Sequence, residues 1–265
     1  MAHSTENGFR DEIEITPVPA FQDNYIWLLE RANHAVVVDP GDAQPVLRLL
    51  ARAPRKLDAI LLTHHHPDHV GGVTELLAAH PAQVFGPADS PFADIRVRLH
   101  EGDQVAVLGE NFSVLEVPGH TLDHIAYWCP ALAALFCGDT LFGCGCGRLF
   151  EGTAAQMFAS LTKIAQLPEQ TKIYCAHEYT SANIRFALAV EPDNSELVSR
   201  SQACASARSR QQPTVPSTLA LEKATNPFLR CAQATVRQAV ARHRSGANGD
   251  GAAVFAALRS WKDVF

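Results

Sequence analysis

The stretch Thr63-His64-His65-His66-Pro67-Asp68-His69 follows the apolar run Ala59-Ile60-Leu61-Leu62 and runs into Gly71-Gly72. Metal-binding side chains therefore crowd one strand-to-helix turn. A solvated His-rich loop would also produce such a tract. Against that reading, further His and Asp residues recur in the same setting, each just beyond an apolar run. They are His120 after Val114–Pro118-Gly119, Asp139 after Leu135–Cys137-Gly138, and His177 after Ile173–Ala176. In an open α/β layer, functional side chains gather at the carboxyl ends of strands, so these loops are expected to meet in one cleft.

The resulting set, His64, His66, Asp68, His69, His120, Asp139 and His177, exceeds the needs of one ion. Imidazole with carboxylate and no thiolate suits zinc, iron or manganese in a catalytic site. Two divalent ions are expected, zinc first. Alternation in an extended turn puts His64 and His66 on one side and turns Asp68 and His69 elsewhere. One ion then takes His64, His66 and His120, and the other takes Asp68, His69 and His177. Asp139 bridges them, because one carboxylate can hold ions about 3.5–4 Å apart. A bridging hydroxide completes the site, with Asp68 placed to orient it, so Asp68 and Asp139 are the expected catalytic residues. His65 is left out as an orienting or structural residue. His124 reads as a satisfied core or surface histidine, and Cys175 as a small buried hydrophobe.

Outward from these loops, Ile13 to Tyr179 alternates short β-rich runs with helical patterns, which is the signature of a layered α/β domain. Strands are expected at Tyr25–Leu29, Ala35–Asp39, Asp58–Thr63, Gln83–Gly86, Phe112–Glu116, Ile125–Tyr127, Leu135–Cys137 and Lys172–Cys175. Helices are expected after Gly72 and from Thr153, where Gln156 completes a capping box. Beyond about Ser181 the strand pattern stops. Ser195–Gln211, Leu219–Thr225, Gln233–His243 and Gly251–Asp263 read as helices, with a turn at Ser245–Gly251. This divides the chain into a catalytic domain, residues 1–180, and a smaller helical domain, residues 181–265.

Composition narrows the function. With 265 residues, 47% of them hydrophobic, the chain should fold without staples. A net charge of -6 provides no footprint for a polyanion, so nucleic acid and anionic membranes are poor partners and a small molecule is favoured. The cysteines number seven, an odd count without a disulfide-like framework, which fits a reducing cytoplasm. Met1 to Glu14 shows no export signal, and no run approaches a membrane span. A monomer is expected.

The pattern His64-x-His66-x-Asp68-His69 with His120, Asp139 and His177 resembles the metallo-β-lactamase superfamily. That resemblance implies an αββα sandwich with the metals at one edge. Further motifs are similar to the hydroxyacylglutathione hydrolase (glyoxalase II) family within it. They are Phe21-x-Asp23-Asn24-Tyr25-x-Trp27, Asp39-Pro40-Gly41, Gly143-Cys144-Gly145-Cys146-Gly147-Arg148-x-Phe150-Glu151-Gly152, His177-Glu178-Tyr179-Thr180, Asn226-Pro227-Phe228-Leu229-Arg230 and Arg259-x-Trp261-Lys262-Asp263. The resemblance implies glutathione contacts from Arg148, Phe150, Tyr179, Arg259 and Lys262, with Phe150 unable to donate the hydroxyl that a Tyr gives in some relatives. Independently of the family, Arg259 and Lys262 stand three apart on one face of a short helix, a fit for a carboxylate. Cys144-Gly145-Cys146 reads as close backbone packing.

The implied reaction is hydrolysis of an S-2-hydroxyacylglutathione, S-D-lactoylglutathione giving D-lactate and glutathione in methylglyoxal detoxification. Hydroxide at the metals attacks the thioester carbonyl and thiolate leaves without a general acid. Besides another hydrolase of the metallo-β-lactamase fold, a persulfide dioxygenase on the same fold and a non-catalytic metal-binding scaffold are the alternatives. The full ligand set argues against both, and the helical tail argues further against the dioxygenase.

Overall fold

The computed structural model describes residues 12–52, 55–243 and 250–265. The polar start and most of the Ser245–Gly251 turn lie outside the described residues. One six-stranded sheet contains, in spatial order, β1 (Glu14–Ala20), β2 (Asn24–Arg31), β3 (His34–Val38), β4 (Lys56–Leu61), β5 (Gln83–Pro87) and β6 (Val97–Leu99). Its first two junctions are antiparallel and the rest parallel. The second sheet uses β7 (Gln104–Val107), β8 (Glu110–Glu116), β9 (Ile125–Cys129) and β10 (Ala134–Gly138). A hairpin of β11 (Leu141–Phe142) and β12 (Gly145–Cys146) follows, and then β13 (Lys172–Cys175) and β14 (Ser217–Thr218) extend the second sheet beside β10.

The period of two in the strand sequences explains the layering. In β2, Tyr25, Trp27 and Leu29 face one cluster while Ile26 and Leu28 face another, and β3 divides Val36 and Val38 from Ala35 and Val37 in the same way. The first set meets Phe112, Val114, Tyr127 and Phe136 of the second sheet, which makes the central layer of a sandwich. The second set packs under α1 (Ala43–Leu50), α2 (Pro67–Val70) and α3 (Val73–Ala79), through Val46, Leu50, Val70, Val73 and Leu76. Each fully buried Trp or Phe here contributes roughly 1.5–3 kcal/mol by leaving water.

The helix α4 (Ala154–Ile164) starts at Thr153 with both halves of the capping box formed, and it buries Met157, Leu161 and Ile164. It is followed by α5 (Thr180–Val190), α6 (Ser195–Ser209), α7 (Leu219–Thr225), α8 (Ala234–His243) and α9 (Gly251–Asp263). Rings of Phe186, Phe228 and Phe255 join these helices, with centroids 5.6–6.0 Å apart. The αββα sandwich therefore carries a C-terminal helical region whose apolar core is continuous with its own. Among the described residues, no helix is long and apolar enough to cross a membrane.

Candidate active site

Four strand ends supply the expected ligands: β4 leads to His64 and His66, β8 to His120, β10 to Asp139 and β13 to His177. Pro67 opens α2, where its missing N–H costs nothing, so Asp68 and His69 stand on a helical turn and not an extended one. That turn is pressed against the β3–α1 loop. A Cβ on Gly41 would lie 1.8 Å from the carbonyl oxygen of Asp68, so only glycine permits the approach.

Ligand atoms of His64, His66 and His120 lie within 4.8 Å of one another, as do those of Asp68, His69 and His177. A third such group, His64, His69 and Asp139, joins the two. Asp139 Oδ2 is 3.3 Å from His120 Nε2 and 3.4 Å from His177 Nε2, and its Oδ1 is 3.5 Å from His69 Nε2. One carboxylate thus faces both triads. The atoms His64 Nε2, His69 Nε2 and Asp139 Oδ1 are buried without a hydrogen-bond partner. Each orphaned polar atom costs about 1–3 kcal/mol, and divalent ions at this centre would satisfy all of them. The donor set fits two ions, and the His/Asp clusters on this fold make a binuclear metal site.

In several of these rings the Nδ1 atom is held from behind, which aims Nε2 inward, whereas His66 turns its Nδ1 toward His120 Nε2, 3.0 Å away. His177 Nδ1 donates to Asp23 at 2.9 Å and His120 Nδ1 to the carbonyl of Arg148 at 2.7 Å. His69 Nδ1 lies 3.0 Å from Asp39 Oδ2. Asp39 also accepts from the Thr63 amide (2.8 Å) and hydroxyl (2.7 Å), and that hydroxyl oxygen faces His64 Nδ1 at 3.0 Å. Asp68 accepts from Asn24 Nδ2 at 3.0 Å. His124 is buried and satisfied, as expected of a core histidine, yet it also backs the centre. It stacks on His64 with centroids 4.5 Å apart and accepts the Asp139 amide at 3.1 Å. His65 points aside, between Asp123 (2.9 Å) and Glu151 (3.2 Å).

Electrostatics divide the triads. Burial pushes His64 well down and also lowers His66 and His120, so these rings are neutral, as a ligand must be. Burial works against charge at His69 and His177 too, but Asp139 outweighs it, holding His69 well up and His177 at about 10. Asp139 in turn is buried yet held well below its ordinary value by His69 and His177. The carboxylates of this half call for positive charge, which a bound cation supplies in place of a proton.

A cavity of about 410 Å³ opens beside the centre and is lined by His66, Asp68, His120, Asp139 and His177. The same cavity is lined by every expected substrate contact: Arg148, Phe150, Tyr179, Arg259 and Lys262. The Tyr179 ring stacks on His177 at 4.6 Å, and Phe150 meets His66 and His120 edge-on at 5.6 and 5.2 Å. Burial pushes Tyr179 up to about 12, so its hydroxyl keeps its proton. Arg259 is buried, donating to Cys146 O (3.1 Å) and Asp263 (3.0 Å) and leaving Nε without a partner. Lys262 Nζ donates to Asn183 Oδ1, and burial followed by repulsion from Arg259 lowers it to about 8. Arg148 reaches Asp263 at 3.6 Å from the rim. Cys144, Cys146 and Cys175 are buried thiols pushed up by burial, neither ligands nor nucleophiles.

Sequence reasoning assigned no role to Asp23, Asp39, Asn24, Asn183 or Asp263. Asp39 follows β3 directly, in the same strand-end setting that revealed His120 and Asp139, and that signal was available.

The metallo-beta-lactamase superfamily model matches residues 21–177, and the model of the hydroxyacylglutathione hydrolase C-terminus matches residues 178–265. A hydroxyacylglutathione hydrolase of Albidiferax ferrireducens is 54% identical over 256 residues, 96% of this chain and 100% of that one. Among solved structures, ETHE1 from Myxococcus xanthus has a TM-score of 0.64 over 96% of this chain and 99% of its own. At 24% identity that likeness concerns the fold alone. A protein crystallised in a di-iron-bound form reaches 29% identity and a TM-score of 0.59, covering 82% of this chain and all of its own. The match extends unbroken from the ligand turn to the cationic terminal helix, and the chain accordingly belongs to the hydroxyacylglutathione hydrolase family of the metallo-β-lactamase superfamily.

Proposed function

We propose that the protein hydrolyses S-2-hydroxyacylglutathione thioesters, converting S-D-lactoylglutathione and water to D-lactate and glutathione. The observation that carries this is one cavity lined both by the Asp139-centred His cluster and by Arg259, Lys262 and Tyr179. Two ions held by His64, His66 and His120, by Asp68, His69 and His177, and by Asp139 between them would supply hydroxide near neutral pH and a Lewis acid for the carbonyl.

The chain's own residues do the rest. Asp68, held by Asn24, is an acceptor that orients the attacking water. Arg259 and Lys262 receive the glycine carboxylate of glutathione, and the protonated Tyr179 hydroxyl donates a further hydrogen bond. Arg148 brings positive charge to the rim. Phe150 places an apolar ring beside His66 and His120, where a Tyr hydroxyl stands in some relatives. Thiolate is a good leaving group, so no side-chain acid is required.

In the same reading, residues 1–180 hold the metals and residues 181–265 bind glutathione. Zinc is the preferred ion, with iron or manganese as substitutes; the di-iron neighbour speaks for the latitude. The seven cysteines are all free and buried, which suits the cytoplasm. The protein works as a monomer without nucleic-acid or membrane partners, in methylglyoxal detoxification.

The test is direct. Purified protein is given S-D-lactoylglutathione, and thiol release is followed with and without a chelator. Release that stops on chelation and returns with zinc is expected; the absence of any chelator-sensitive release would sink the proposal.

A further inference from the structure

The hairpin β11–β12 lies between Asp139 and Arg148, and its Phe142 and Cys146 line the cavity. Its backbone is held by side chains that come from beyond residue 180, three on helices and Asn226 at the end of α7. Asn226 Nδ2 donates to Phe142 O (3.2 Å) and Gly145 O (2.9 Å), and Asn183 Nδ2 donates to Gly143 O (2.9 Å). Glu222 Oε2 accepts from the Cys144 amide (2.9 Å), and Arg259 Nη1 donates to Cys146 O (3.1 Å). Every residue from Phe142 to Cys146 thus gives a backbone polar atom to one of these side chains.

The fastening is buried and itself braced. Asn226 and Glu222 are fully buried, and Glu222 Oε1 is fixed by Arg200 and Ser217, both at 2.5 Å. Cys144 sits at φ 55°, a left-handed conformation that a side chain resists, at the point where Glu222 holds its amide. Gly145 approaches so closely that a Cβ would lie 2.4 Å from Asn183 Nδ2.

Stability alone would explain such a network, but its geometry continues into the recognition wall. Asn183 Oδ1 accepts from Lys262, and Cys146 O is the partner of Arg259. Phe142 meets Tyr179 edge-on at 5.3 Å. The hairpin therefore meets Arg259 and Tyr179 directly and Lys262 through Asn183.

We propose that Asn226, acting with Glu222 and Asn183 through the hairpin Phe142–Cys146, is a positioning residue for glutathione recognition. Asn226 does not line the cavity; it sets where Arg259, Lys262 and Tyr179 stand relative to the metal ligands. This inference rests on the glutathione thioesterase reading of the site.

Asn226→Asp keeps the volume and removes the donated bonds, and Asn226→Ala removes the volume as well. Each metal-loaded variant is compared with the parent for metal content, Tm, kcat and KM for S-D-lactoylglutathione, and the inhibition constant of glutathione. KM and the inhibition constant should rise together by about tenfold, the worth of one or two lost hydrogen bonds, with kcat within about threefold and metal content unchanged. A lowered Tm with unchanged KM and inhibition constant overturns the proposal, because the role is then structural only. Loss of kcat together with metal overturns it as well. Should neither Asn226 variant fold, Glu222→Gln, which disturbs the bond to the Cys144 amide at a residue that does not line the cavity, must show the same split, or the proposal fails. A parent without thioesterase activity would defeat the function reading instead, and that result appears before any variant is compared.

Discussion

Raising the pH from 7 to 9 should remove the charge of Lys262 and weaken the substrate with it. Burial, and then Arg259, lower this ammonium from 10.5 to about 8. Its protonated fraction then falls from about 0.9 at pH 7 to about 0.1 at pH 9. A hydrogen bond from a charged group is worth roughly 1.5–3 kcal/mol, more than a factor of ten, so the neutral form hardly contributes to binding. KM for the glutathione thioester should therefore rise about tenfold across the window, bending upward near pH 8. Initial rates of thiol release, measured at half-unit intervals and constant ionic strength, provide the curve. Lys262→Ala supplies the control: its KM should start where the parent's ends and show no step of its own. Titration of the substrate's amino group affects both proteins equally, so the ratio isolates Lys262. A parent KM that stays flat, or a variant that shows the same step, refutes the placement of Lys262 on the carboxylate.

Asp39→Asn should weaken metal binding about 10–100-fold, since Asp39 orients His69 and braces Thr63 behind His64; competition with a chromophoric chelator measures it, and an unchanged affinity would remove Asp39 from the centre. Glu191 should give the fold an acid limit. Burial opposes its ionisation, but Arg230 (2.7 and 3.0 Å) and Thr235 hold its carboxyl below the ordinary 4.5. A depressed carboxyl adds stability that is complete above the unfolded value and is lost as pH falls through the folded one. Tm of the parent should thus fall more steeply than that of Glu191→Gln below pH 4.5, and parallel curves would count against the pair.

The elements that sequence reasoning placed best are those with dense local signals. β2, β3, β4 and β10 are apolar runs ending in a turn or loop, and α4 announces itself by Thr153 and Gln156. β1 escaped notice because Pro17 and Pro19 argue against a strand, although an edge strand such as this tolerates them. α5 escaped because Tyr179, which precedes it, offers no capping bond, and its Ile184, Phe186, Ala187 and Val190 bury more than one face. In the site, each ligand follows a strand, so the local pattern sufficed. The residues behind the ligands were illegible for the opposite reason. Asp23 meets His177 across 154 positions and Asn226 meets Phe142 across 84, and no spacing rule spans such distances.

One contact at the end of the chain bears on turnover. Asp263 Oδ1 lies 3.0 Å from Arg259 and 3.6 Å from Arg148, so a resident counter-ion already accompanies both guanidinium groups. On the proposed reading, an incoming glycine carboxylate would not quench bare charge; it would exchange with a carboxylate that belongs to the protein. Affinity becomes a difference between two similar ion pairs, smaller than either one alone. A thioester hydrolase benefits from that restraint, because the product glutathione carries the same carboxylate as the substrate. An internal rival on α9 that tempers capture would, on that reading, also hasten release.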